Sequence, residues 1–418
     1  MLDIKYIREN LEAVRKNIAD RNMSVDIDAL VTLDDQRKSS QSNLDELRST
    51  LKSSSKSKPT PEKIAELKTL SQQIKELEEE DKKINKEFLE LLKQVPIMAH
   101  PDCPIGEEED FNVLYKNFEP KKFDFEPKNH ADLLLAHDAL DFERGTKIAG
   151  HKSYFTKTKL VKLNRALIDY GINILEQNGI TEIIETPDFA HNDVIEFAGF
   201  NPRGEQDDIY NIGGEDMSLI GTAEITMLGY HSNEVIDLTN GPRIVAAISS
   251  CFRKEAGSYG RTSMGLYRVH QFKKLEIFAF CKPEDSESVH QKIIDIEKQI
   301  VDGLEVPYQV IDIATADLGA CAYRKYDIEA YMTMKGDDTR QGEYGEITST
   351  SNCLDYQARR ANIKFIDENG KKQFVHTLNG TAIVTSRFPI TVIENHQQAD
   401  GSINIPKALQ SFYGDNKL

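Results

Sequence analysis

The chain has 418 residues, 39% of them hydrophobic and 29% charged, with a net charge of −17. That length allows two or three domains with a sizeable core. The acidic balance argues against a general polyanion binder, so any contact with nucleic acid must come from a local basic patch.

The opening MLDIKYIREN carries charges where an export signal needs an apolar run, so no signal is expected. No uncharged stretch approaches the roughly 18 residues of a membrane span. Residues 27–95 contain no glycine. Leu30, Leu33, Arg37, Ser40, Leu44, Leu47 and Leu51 follow a 3,4 spacing, as do Leu67, Leu70, Ile74, Leu77, Asp81, Ile84, Phe88 and Leu91. Each set falls on one helical stripe, the seam of a coiled coil. The spacing predicts helices over about 27–52 and 61–95, broken between them by KSSSKSKPTPEK. A short polar turn folds two such helices back as an antiparallel hairpin, an arm roughly 40 Å long. Arg37, Ser40 and Asp81 interrupt the stripes, so the seam is expected to be imperfect. Any two-helix coiled coil serving only assembly would look the same. The tip offers a second reading, because Lys52, Lys56, Lys58 and Lys63 cluster there with only Glu62 opposing them. Lysines on a protruding hairpin can neutralise the phosphates of a partner too large for a pocket.

HPDCPIGEEED, with its two prolines, glycine and acidic run, opens a predicted linker over 101–119. From 120 onward β-branched strands alternate with amphipathic helices and glycine-rich turns. Leu160, Leu163, Leu167, Tyr170, Ile174 and Leu175 predict a long helix ending near Asn178-Gly179, followed by a strand, ITEIIETP, that stops at Pro187. In LIGTAEITML, read as extended, Thr222 and Glu224 share a face, where a hydroxyl and a carboxylate can hold an ammonium group. Arg253 and Glu255 are likewise two apart. AGSYGRTSMG reads as a loop, and in LYRVHQFKKLEIF the residues Arg268, His270, Phe272, Lys274 and Glu276 share one face. A mostly charged face with one aromatic is a solvated surface or a binding site. An arginine fork for phosphate, a ring for stacking and an acceptor for an amino group favour a nucleotide. Glu346 and Ser349 offer oxygen donors suited to Mg²⁺. Pro389 is tolerable only in a first helical turn, which puts Arg387 at a helix N-terminus. Neither a P-loop nor a G-x-G-x-x-G turn occurs. Cysteines 103, 251, 281, 321 and 353 show no C-x-x-C spacing, so a cytoplasmic chain with reduced thiols and no zinc is expected.

Taken in order, T-x-E, F-R-x-E, G-L-x-R-x-H-Q-F-x-K-x-E, E-I-T-S-x-S-N, D-Y-Q-x-R-R and L-N-G-T, preceded by the hairpin arm, resemble the seryl-tRNA synthetase family of the common bacterial type. The resemblance spans essentially the whole chain. It implies an α+β class II synthetase: an antiparallel sheet flanked by helices over 120–418, working as a homodimer, with a tRNA-binding arm over 1–100. By that resemblance Arg253 holds the α-phosphate of ATP, Arg387 the γ-phosphate, and both are catalytic. Lys254 and Glu255 also meet the nucleotide, Glu255 at the adenine amino group. Phe272 stacks on the ring and Val269 makes a backbone contact. Glu346, Ile347, Thr348 and Ser349 hold phosphates, with Glu346 and Ser349 on Mg²⁺. Thr222, Ala223 and Glu224 bind L-serine, while Glu276, Asn379 and Thr381 complete the pocket around its hydroxyl. The acceptor is tRNA(Ser), with tRNA(Sec) a further acceptor where the host makes it.

Three positions depart from the family pattern: Gly221 stands where proline is common, Thr381 where serine is, and TSRFPITV replaces VGRTLVAI. Two alternatives stay open on sequence. One is a serine-activating ligase that loads a carrier protein, which the full arm speaks against. The other is an inactive synthetase-like scaffold, which would be expected to lack Arg253 and Arg387.

Overall fold

The computed structural model describes residues 1–54, 61–199, 208–255, 265–335 and 342–418. Lys56 and Lys58, and most of the AGSYGRTSMG segment, lie outside the described residues. The chain divides into two compact units, Met1–Met98 and Ala99–Leu418.

In the first unit the helices Ile27–Ser54 and Pro61–Gln94 pack along their stripes, with Leu30, Leu44, Ile74 and Phe88 buried at the seam. Pro61 opens the second helix, where its missing N–H would have had no partner anyway. At 34 residues that helix is roughly 50 Å long. The seam interruption at Arg37 is itself a packed contact. Its guanidinium lies 4.7 Å from the centre of the Phe88 ring and donates to Asp34 at 2.8 Å. Asp34 is fully buried and also accepts from Arg8 and Lys38. Further along, Ser40 Oγ and Asp81 Oδ1 are buried without a hydrogen-bond partner, so the seam is weakest there.

The second unit is built on an eight-stranded sheet. Its order is Asn112–Lys116, Tyr308–Asp312, Arg324–Met332, Glu343–Asn352, His376–Val384, Gln271–Cys281, Arg243–Phe252, Ile183–Glu185. Every neighbouring pair is antiparallel except the last, which is parallel, so the sheet is mixed rather than purely antiparallel. The segment expected as a linker contains the edge strand Asn112–Lys116. All five of its residues are exposed, so no buried face marked it in the sequence, and its order comes from backbone pairing with Tyr308–Asp312. Backbone bonds at His100, Pro104 and Gly106 also tie the preceding residues to this unit.

One face of the sheet is covered by the helices Thr158–Gln177 and Ser286–Gly303. A Cβ on Gly171 would lie 2.8 Å from Ile383 and 2.9 Å from Leu275, so this glycine lets the first helix approach the sheet. Gly380 meets an equal constraint from the second helix, because its Cβ would lie 2.5 Å from a Glu297 carboxyl oxygen. Glu297 is fully buried and accepts from the hydroxyls of Thr348 and Thr350. Burial pushes its carboxyl up to about 8, against those two bonds. The group therefore stays protonated in the folded protein after the unfolded chain has ionised near 4.5. Its stabilising contribution is complete at low pH and is lost as pH rises to about 8. Glu297→Gln is expected to flatten that decline. The thermal midpoint of the variant should match the wild type near pH 4.5 and exceed it at pH 8, and parallel pH curves would contradict this account.

Candidate active site

The opposite face of the sheet carries the chemistry. Along Gln271–Cys281 the alternate residues Leu275, Ile277, Ala279 and Cys281 enter the main core. On the other side Phe272, Lys274 and Glu276 line a cavity, and Phe278 and Phe280 continue into a second core. Along one face the strand thus carries an aromatic ring, two charged groups and then two more rings, and along the other it is apolar. Arg268 and His270 precede the strand and do not line the cavity. Arg268 pairs with Glu255 at 3.3 Å, and His270 is bonded to the Arg253 carbonyl.

The cavity measures about 520 Å³ and gathers most of the expected residues: Thr222, Glu224, Arg253, Glu255, Val269 and Phe272, together with Glu276, Glu346, Ile347, Ser349, Asn379, Thr381 and Arg387. A larger groove of about 1040 Å³ lies against the Thr158–Gln177 helix and shares only Phe272 with it. Its lining has no comparable gathering of opposed charges, so the smaller cavity is the candidate site.

Local geometry differs from the expected strand geometry at two places. The T-x-E residues open the helix Ala223–Tyr230, with Thr222 as N-cap accepting from the Glu224 N–H. The hydroxyl and the carboxylate reach one cavity through a cap and a first turn, not through strand alternation. The strand Arg243–Phe252 ends before Arg253, and Glu255 takes left-handed backbone (φ 51°). Arg253 bonds the Gly221 carbonyl and lies 5.5 Å from the centre of the Phe272 ring, so phosphate-binding and stacking groups adjoin.

Three expected residues do not line the cavity. Ala223 is buried in the second core. Thr348 points through the sheet to Glu297, because it alternates with Ile347 and Ser349. Lys254 donates its backbone N–H to Asp208 and its side chain lies off the cavity. A role for Thr348 in binding ATP can therefore run only through its main chain. Arg359 and Arg360, the two arginines of D-Y-Q-x-R-R, bond locally, to Asp355 and to the Tyr356 hydroxyl.

Charge is closely balanced. Arg387 pairs with Glu346 at 2.7 Å and donates to its carbonyl, while its guanidinium packs 4.9 Å from the centre of the Tyr267 ring. Burial would raise the Glu346 carboxyl, but Arg387 and then Lys325 overcome it and hold the group below its usual range. Lys274 pairs with Glu276 at 2.5 Å, both nearly inaccessible to solvent. Burial raises the Glu276 carboxyl against that pairing. Thr381 is the direct cross-strand neighbour of Glu276, so a hydroxyl and a carboxylate face one another on the cavity wall. Glu224 is raised to about 7, first by burial and then by Glu276. Sequence reasoning passed over Lys274 and Tyr267 as cavity residues, and also the segment Asp317–Cys321 with Lys325. The alternation that flagged Phe272 and Glu276 already contained Lys274.

Arginines, an aromatic ring and paired carboxylates converge on one face of the sheet, and sequence matches to this unit place it among the class II aminoacyl-tRNA synthetases. Residues 209–396 match the tRNA synthetase class II core domain of the G, H, P, S and T group, and residues 1–99 match the seryl-tRNA synthetase N-terminal domain. The chain is 47% identical to a serine–tRNA ligase of Treponema denticola over the full length of both, and 45% identical to one of Dictyoglomus turgidum over 100% of this chain and 99% of the other. Among solved structures, seryl-tRNA synthetase from Pyrococcus horikoshii complexed with ATP superposes with a TM-score of 0.89 at 34% identity, covering 100% and 99% of the two chains. A cytoplasmic serine–tRNA ligase from Naegleria fowleri in complex with AMP gives 0.86 at 30% identity, covering 100% and 98%. The chain belongs to the seryl-tRNA synthetase family.

Proposed function

We propose that the 520 Å³ cavity binds ATP and L-serine side by side and joins them as seryl-adenylate, with the residues in the following roles. As a member of its family the chain is a serine–tRNA ligase. Serine's carboxylate forms a bond to the α-phosphorus as the bond to pyrophosphate breaks, and a hydroxyl of the terminal ribose of tRNA then forms an ester with the seryl group as AMP leaves. Arg253 neutralises the α-phosphate, Arg387 the γ-phosphate, Phe272 stacks on adenine and Glu255 accepts from its amino group. Lys254, Val269, Ile347 and Thr348 contribute through the main chain. Glu346 and Ser349 supply one carboxylate and one hydroxyl on the same strand, a donor set that fits Mg²⁺ with phosphate oxygens and water completing it. Bound there, Mg²⁺ would neutralise charge on the phosphates. Thr222 and Glu224 take the serine ammonium group, with Ala223 between them packed in the second core, while Glu276, Thr381 and Asn379 take its side chain.

The observation carrying this reading is the cross-strand pair Thr381–Glu276 inside the cavity that also holds Arg253 and Arg387. Both groups lose a partner if alanine enters, which is a physical basis for choosing serine. Pyrophosphate exchange measured with each of the twenty amino acids tests it: serine alone should support fast exchange, and equal exchange with alanine would overturn the assignment.

The arm is read as the tRNA contact, with Lys52 and Lys63 at the described ends of its helices and Lys56 and Lys58 between them. tRNA(Ser) is the acceptor, and tRNA(Sec) a second one where it exists. A homodimer is supported by exposed apolar residues around the larger groove, among them Ile148, Phe155 and Val161, beside the open edge of Ile183–Glu185. Val161→Asp is expected to shift the mass measured by light scattering from dimer to monomer, and an unchanged mass would place the interface elsewhere. Among the described residues no helix is long and apolar enough to cross a membrane, and a cytoplasmic site of action accords with the free cysteines.

A further inference from the structure

Gln357 lies outside every role assigned above, on the short helix Tyr356–Ala361, and is fully buried. Its side-chain nitrogen donates to Glu224 Oε1 and to the Ala198 carbonyl at 3.1 Å, and its oxygen accepts from the Thr377 hydroxyl at 2.7 Å. A backbone carbonyl can only accept, so the amide has one chemically sensible orientation, with nitrogen toward Glu224. Asn379 donates to the same Oε1 at 3.0 Å. Two amide donors therefore converge on one oxygen of Glu224, and Oε2 is left to the cavity that Glu224 lines.

We propose that Gln357 is a positioning residue for serine recognition: locked by Thr377 and Ala198, it holds Glu224 by one oxygen and so aims the other at the substrate ammonium. The inference rests on the reading that Glu224 binds that ammonium. Donors on Oε1 also favour the ionised carboxylate, which is the form that attracts an ammonium. They act against burial and against Glu276, in concert with Lys274 and Arg253, while the Cys353 thiol also lies close to Glu224. With one donor gone, Glu224 should bind a proton more readily and point less well.

The test is steady-state pyrophosphate exchange by the full chain, with serine and ATP varied separately across pH. Gln357→Met, close in volume but lacking the donor, is expected to raise the KM for serine by about tenfold to a hundredfold while the KM for ATP stays within about twofold. The acidic midpoint of kcat/KM for serine should move up by about one pH unit. Thr377→Val keeps Gln357 but frees its amide to turn, and should move the same two readouts in the same direction by a smaller amount. It carries the test if Gln357→Met fails to fold. An unchanged serine KM in a folded variant overturns the proposal. So does a parallel rise in both KM values with an unmoved pH midpoint, the signature of a merely structural residue. Glu224→Gln separates the two levels. If it leaves the serine KM unchanged, the ammonium reading itself fails. If it raises that KM while Gln357→Met and Thr377→Val do not, only the positioning role fails.

Discussion

Glu276→Ala is expected to lower kcat/KM for serine in pyrophosphate exchange by roughly two to four orders of magnitude, while ATP binding stays within about threefold. The size of the effect follows from two losses at one place. The serine hydroxyl loses its acceptor, leaving Thr381 as the other hydroxyl-facing group on that part of the wall. Lys274 loses its counter-ion inside the protein, and stranding one member of a buried pair typically costs about 3–5 kcal/mol. The variant should therefore also unfold at a lower temperature, and ATP binding measured directly separates the two losses. Discrimination against alanine should shrink in parallel, because the penalty for an unpaired Glu276 disappears with the side chain. Glu276→Gln keeps the shape and one acceptor, so a loss of roughly tenfold to a hundredfold is expected from it. Exchange by Glu276→Ala within threefold of the wild type would remove Glu276 from the serine pocket.

Shortening the arm should divide the two half-reactions. Arg48 and Glu78 face each other across the hairpin at 2.8 Å, so residues 49–77 can be replaced there by a short glycine-rich turn. The seam nearer the base, with Arg37 on Phe88 and Asp34 under Arg8, is left whole. Serine-dependent pyrophosphate exchange is expected to stay within about twofold, because every cavity residue belongs to the second unit. Charging of tRNA should fall by roughly two orders of magnitude or more, as contacts to several phosphates go together. The salt dependence of tRNA binding should flatten at the same time. Charging at the wild-type rate by the shortened protein would return the arm to a role in assembly.

Elements whose signal lies within a few neighbouring residues were readable. The two long helices follow from their 3,4 stripes and from Pro61. The helix Thr158–Gln177 follows from its apolar face and from Gly179, which has positive φ just beyond the end. Phe388–Asn395 begins where Pro389 in the first turn requires, with Arg387 as N-cap. Misreadings arose where the local pattern was neutral. T-x-E fits a strand face and a capped first turn equally well, and packing in the second core selects the helix. NVLYK has no buried face to betray a strand. Thr348 sits in a motif whose neighbours reach the cavity, yet strand alternation sends it to Glu297.

By itself the sequence determined which chemical groups are present and, within each regular strand or helix, which of them share a side, because those periods are set by the covalent chain. Phe272, Lys274 and Glu276 share a face for that reason alone. Partnership was decided by the tertiary structure. Thr381 opposes Glu276 through the register of two strands, and Gln357 reaches Glu224 across 133 residues of chain. Register and helix placement depend on how whole faces pack, and no local spacing encodes them.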